Sequence, residues 1–168
     1  MSDKITITKI KCKDEKITIH YEQSRDDRED KDKFTLESFD RAKAEFYQHL
    51  ELLKSSVIEI CELPAYFLDR IRVIGVSFSW TDDIMGATIT ALIKLNHSNA
   101  PLVINTPHKP ETAYSESGDD SNVLPVNAIQ DLSNLLRVAQ AYIDGERDRK
   151  QLDMFDMVGT RESETVRV

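Results

Sequence analysis

Apolar and polar residues alternate one by one over residues 4–12 (KITITKIKC) and 16–23 (KITIHYEQ), with Lys13, Asp14 and Glu15 as a short polar turn between them. A period of two marks a strand with one face buried, so this pair predicts a β-hairpin. Ile17, Ile19 and Tyr21 share one face of the second strand. In the first, the apolar set shifts from Ile5 and Ile7 to Ile10 and Cys12, which predicts a bulge or a twist. A second hairpin is marked more strongly. Residues 70–80 (RIRVIGVSFSW) place Ile74, Val76, Phe78 and Trp80 on one face, and Thr81, Asp82 and Asp83 turn the chain. Residues 84–96 (IMGATITALIKLN) then place Met85, Ala87, Ile89, Ala91, Ile93 and Leu95 together. The opposite faces carry Gly75, Ser77, Ser79, Gly86, Thr88 and Thr90, so one side of the sheet is expected to be buried and the other small and polar. Residues 101–105 (PLVIN) suggest a further short strand.

Elsewhere the period lengthens. Phe39, Ala42, Phe46, Leu50, Leu53, Val57 and Ile60 recur at three- and four-residue steps, which predicts a helix over 36–62. Thr35 is its expected N-cap, Glu37 sits near the positive end of the dipole, and Pro64 marks its end. A last helix starts near Pro125 and carries Ile129, Leu132, Leu135, Leu136, Ala139, Tyr142 and Ile143. Gly145 is placed to stop it. Two stretches read as exposed loops: residues 25–33 (RDDREDKDK), where every residue is charged, and residues 106–122, rich in Pro, Ser, Asp and Gly. The order is ββαββ(β)α. It predicts an α+β two-layer sandwich, an antiparallel sheet of four or five strands with two long helices on one face. Residues 1–145 form one expected domain, and 146–168 an expected flexible C-terminal linker, motif and tail.

The chain has 168 residues, enough for a single sizeable core, and carries a net charge of −8. Residues 1–33 hold nine basic and nine acidic side chains, so residues 34–168 carry the whole excess. An acidic body repels phosphate, which disfavours sequence-independent DNA binding unless a local basic patch escapes the count. No direct sequence-specific nucleic-acid partner is expected. Cys12 and Cys61 fall in a predicted strand and helix and read as buried free thiols, with a disulfide as the alternative. The first ten residues have no continuous apolar run, which argues against a signal peptide, and nothing approaches the roughly 20 apolar residues of a membrane span. The expected location is the cytoplasm, with no membrane partner.

Little catalytic chemistry is legible. His20, His49, His97 and His108 lack a partner at metal-ligand spacing, and the chain has no phosphate-binding glycine loop and no GxSxG elbow. Asp82 and Asp83 read as turn formers rather than a catalytic carboxylate pair. Phe78 and Trp80 lie among aliphatic residues without interleaved Lys or Arg, so they read as core rather than as a base-stacking platform. The expectation is a non-enzyme without cofactor or metal.

One stretch does not fit a plain domain. In "RKQLDMFDM" (149–157), Leu152, Met154 and Phe155 crowd into a segment that otherwise reads as linker. Gln151-Leu152-Asp153-Met154-Phe155 resembles the linear motif by which bacterial replication and repair proteins bind the β sliding clamp, QL[SD]LF, with Met for Leu at the fourth position. The resemblance implies an extended peptide. Gln151 would hydrogen-bond in a polar subsite, Leu152 would anchor beside it, Met154 and Phe155 would fill an apolar pocket, and Asp153 would face the rim. The rest of the chain is similar in style to small phage and prophage proteins carried near replication genes. The implied function is a phage-type adaptor or modulator docked on the sliding clamp. A different reading runs the last helix on through Lys150, so that Leu152, Phe155 and Val158 pack on the body. In that case the chain would be a self-assembling structural or interaction protein, or a phage antagonist of a host defence system, with the exposed Ser/Thr face of the sheet or the 106–122 loop as its contact surface and a homo-oligomer as one expected state.

Overall fold

A computed structural model describes residues 4–24, 30–113 and 122–148. The first hairpin is β1 (Ile5–Lys13) and β2 (Lys16–Ser24), and the second is β4 (Ile71–Thr81) and β5 (Ile84–Ile93). Both turn on two residues with positive φ: Asp14 (54°) and Glu15 (65°), then Asp82 (50°) and Asp83 (65°). Left-handed backbone at both central positions gives a turn whose twist matches that of its strands. The shift of the apolar set in β1 is a bulge at Thr8, between Ile7 and Lys9. A second bulge, between Val73 and Gly75, makes Ile74 the extra residue of β4. Val73 therefore joins the main core with Val76 and Phe78. Ile74, expected among them, is buried outside that cluster.

The fold is α+β, as expected, but the sheet has seven antiparallel strands rather than four or five. Six run in the order β3-β2-β1-β4-β5-β6, with β6 at Leu102–Asn105, and β7 (Lys109–Pro110) pairs with β5. Two strands are unforeseen, β7 and β3 (Lys31–Ser38), and β3 corrects two expectations at once. Residues 31–33 are strand rather than loop, and residues 36–38 are strand rather than helix. Eight successive residues of β3 pair with β2, and Phe34 stacks on Tyr21 with ring centroids 5.3 Å apart. Thr35 caps nothing; its hydroxyl bonds Nδ1 of His20 at 3.3 Å. Satisfying the outer edge of β2 outweighs the partial helical periodicity that Phe39 and Ala42 suggest. Phe39 is 71% exposed.

The first helix, α1, is Ala44–Ile60, and its stripe of Phe46, Leu50, Leu53, Val57 and Ile60 is buried as expected. It ends before Pro64 through a left-handed Glu62 (φ 54°), whose N–H bonds the carbonyl of Glu59 while Leu63 N–H bonds that of Ile58. These two bonds form a Schellman motif, and a short 3₁₀ turn (Ala65–Arg70) then leads into β4. The last helix, α2 (Val126–Ile143), starts after Pro125 and ends the same way. Gly145 (φ 108°) bonds the carbonyl of Tyr142, and Glu146 bonds that of Ala141. The helices pack on each other and on the sheet face that carries Ile10, Ile19, Val76 and Ile89. Residues 106–113 are not the free loop expected. Thr106 is buried and accepts a hydrogen bond from Ile89 N–H, and Glu111 pairs with Met85 through backbone and carboxylate. The chain thus finishes the open edge of β5 beyond β6. Trp80, expected in the core, stacks on Phe78, donates to the carbonyl of Ile7 and remains 38% exposed.

Candidate functional site

The clamp-like motif, Gln151, Leu152, Asp153, Met154 and Phe155, lies outside the described residues. What leads into it is described. After Gly145 the chain turns back along residues 40–43, and Asp148 N–H donates to the carbonyl of Arg41 at 2.9 Å. The Arg147 guanidinium lies 3.6 Å from the ring centroid of Tyr142 and also bonds the Tyr142 carbonyl. The buried Tyr142 hydroxyl donates to the Asp40 carbonyl. Three ion pairs follow the same seam: Lys43–Glu146 at 3.4 Å, Arg147–Asp40 at 3.6 Å and Arg41–Asp148 at 3.8 Å. Exposed pairs of this kind contribute little each. The backbone bond and the stacked guanidinium are what fix the path. An unbroken helix from α2 through Lys150 is therefore corrected: α2 stops at Ile143, and described contacts with the body reach Asp148.

The sheet face away from the helices is the second place where functional side chains collect. Strand register sets Thr35, His20, Lys9, Ser77 and Thr88 side by side across β3, β2, β1, β4 and β5. The next row is Glu37, Thr18, Lys11, Gly75, Thr90 and Asn105, and Lys13 opposes Lys16 at the hairpin end. Lys9, Lys11 and Lys13 are exposed and alternate with core-facing Ile10 and Cys12. A groove of about 500 Å³ runs over them, bounded by Asp14, Lys16, Thr18, His20, Glu37 and the exposed Phe39. Glu37 lies 4.0 Å from Lys16, and Glu22 lies 3.9 Å from Lys31. Among the described residues, no carboxylate lies within ion-pair distance of Lys9, Lys11 or Lys13. The stripe is legible in the spacing of "KIKCK" (9–13), but a charge count over residues 1–33 cancels it against nine acids, of which Asp14 lines the same groove.

At the far side of the same face, Ser79 Oγ and His108 Nε2 share a hydrogen bond of 2.7 Å. Gly86 makes room for them, since a Cβ there would lie within 2.8 Å of both side chains. Among the described residues no hydrogen-bond partner holds the second nitrogen of His108, so the pair lacks the third group that would orient a catalytic imidazole. Its described effect is to pin residues 106–110 to the sheet. His49, on α1, faces Asp131 of α2, whose carboxyl is pushed up by burial and pulled down by that histidine. Cys12 and Cys61 are free thiols, both pushed up by burial; Arg72 and Arg41 partly offset this at Cys12. Among the described residues no group of three His, Cys, Asp or Glu could hold a metal ion. No helix among them is long and apolar enough to cross a membrane.

No family model, curated protein or solved structure matches the chain.

Proposed function

We propose that the chain is a non-enzymatic, phage-type adaptor that docks on the bacterial DNA polymerase sliding clamp through residues 151–155. The observation that carries this reading is the pentapeptide Gln151-Leu152-Asp153-Met154-Phe155 itself, with a polar first residue and apolar residues at the three positions that would enter the clamp's subsites. Its position supports the reading. The chain is tied to the body at Asp148, and Gln151 follows three residues later. Fully extended, the five residues 149–153 would reach about 17 Å, so an anchored exit could still present the peptide clear of the domain.

A single linear peptide orders many rotamers on binding and buries little surface, so affinity near 1 μM, about −8 kcal/mol, is expected. A sliding clamp repeats its pocket around a ring, and an assembly of several copies would gain through effective concentration. The self-assembly alternative requires the C-terminal segment to continue α2 as a packed helix. With Gly145 closing that helix, no described feature favours it over docking. The test is capture of purified clamp on the immobilised full chain, and on the same chain lacking residues 151–155. Retention by the first and not the second supports the proposal; equal retention, or none by either, contradicts it.

A further inference from the structure

We infer that the open face of the sheet is a docking surface for single-stranded nucleic acid, held by its phosphates without regard to sequence. This goes beyond clamp docking and does not depend on it. Charge comes first. A chain of net charge −8 nevertheless projects Lys9, Lys11 and Lys13 from one strand onto one face, none of them within ion-pair distance of a described carboxylate. Negative potential over the rest of the surface would turn a polyanion away elsewhere and favour approach to this stripe.

The spacing selects a linear, evenly charged occupant. Alternate residues of a strand stand about 6.7 Å apart, close to the repeat of phosphates along an extended single strand. Beside the lysines, Ser77 is exposed and His20 half-buried, Thr18 is buried, and the half-buried Thr88 lies one strand further on. Hydroxyl and imidazole donors of this kind fix phosphate oxygens in place. Gly75 keeps the floor low between Lys11 and Thr90. A protein partner would need apolar or aromatic anchors at the centre of its footprint, and these central rows offer none. Phe39, which is exposed, lines the groove outside these rows, so along the lysine stripe itself the backbone is the recognised part. A single strand can follow a twisted sheet, whereas a rigid duplex would meet it at few points.

The test is fluorescence anisotropy of a labelled oligothymidylate with the full chain, titrated at salt from about 50 to about 200 mM. Binding should be strongest at low salt and fall with a log–log slope of about −2, as expected for roughly three phosphates neutralised on a single strand. The K9Q/K11Q/K13Q variant should lose at least about tenfold in affinity and most of the salt slope. K9R/K11R/K13R should restore both, and Ser77→Glu should weaken binding with the lysines intact. Circular dichroism on each variant establishes that the sheet is formed. No binding by the parent chain at low salt, or equal binding by the folded glutamine variant, would overturn the inference. So would tighter binding of a duplex, or displacement of the oligonucleotide by polyglutamate at equal charge, which would point to an acidic protein instead.

Discussion

Glu62 ends α1 at a φ of 54°, where a side chain crowds the following carbonyl, while Gly145 performs the same task for α2 at 108° without a Cβ. The left-handed region costs a non-glycine residue roughly 1–2 kcal/mol. Glu62→Gly should therefore raise thermal stability by up to about 1 kcal/mol, the relief being partly offset by a more flexible unfolded chain. Gly145→Ala should lower it by about 1 kcal/mol or more. Paired melting curves check both signs. Gly75 is constrained differently. A Cβ there would lie 2.8 Å from the backbone oxygen of Ile10, which cannot move without parting β1 from β4. Gly75→Ala should cost about 1–3 kcal/mol by overpacking. The thiols offer a chemical test at the same scale. Burial raises both above the ordinary thiol value, so the reactive thiolate is scarcer in the folded protein than in the unfolded chain at neutral pH. Alkylation of Cys12 and Cys61 by iodoacetamide should be slow natively and speed up in denaturant. Equal rates would show that burial does not protect them.

Elements with strict periodicity are legible in the sequence. Both hairpins and α2 stand where alternation and helical spacing put them, because each buries an apolar face, whereas β6, with Leu102 and Val103 exposed, is held by its pairing with β5. Leu53, at the centre of α1, is fully buried, and Leu53→Ala should cost about 2–5 kcal/mol in a denaturant melt. Where sequence and fold part, the cause is shared: tertiary pairing decides the local structure. β3 holds Lys31, Asp32, Lys33 and Glu37 in eight residues, a composition that reads as loop or helix start. It is a strand because β2 needs a partner, and its charges guard the free edge against pairing with another chain. Thr106 and Glu111 are hidden in a loop-like sequence because their role, closing the edge of β5, depends on residues 17 and 26 positions away. The lysine stripe is present in the alternation of β1, but only the register shows that His20, Ser77, Thr18 and Gly75 stand opposite Lys9 and Lys11.

At the scale of the whole molecule, two surfaces divide the work proposed for this chain. The helices seal one sheet face into the core, and among the described residues the other stays open, polar and locally basic. The C-terminal exit is fixed on the helix side by Tyr142, Arg147 and Asp148 against residues 40–43. Docking through residues 151–155 requires that the motif and the fold can be perturbed independently. The most direct measurement is clamp affinity and melting temperature of the full chain beside its Gln151→Ala/Phe155→Ala variant. If residues 151–155 are kept for a partner, as docking requires, the variant should move stability by less than about 0.5 kcal/mol. Clamp affinity should fall at least tenfold, since an aromatic anchor in a pocket typically carries about 2 kcal/mol or more. A parent chain that does not bind the clamp would contradict docking through residues 151–155. So would a double variant that binds as the parent does, or one that loses about 3–5 kcal/mol of stability as a buried Phe would.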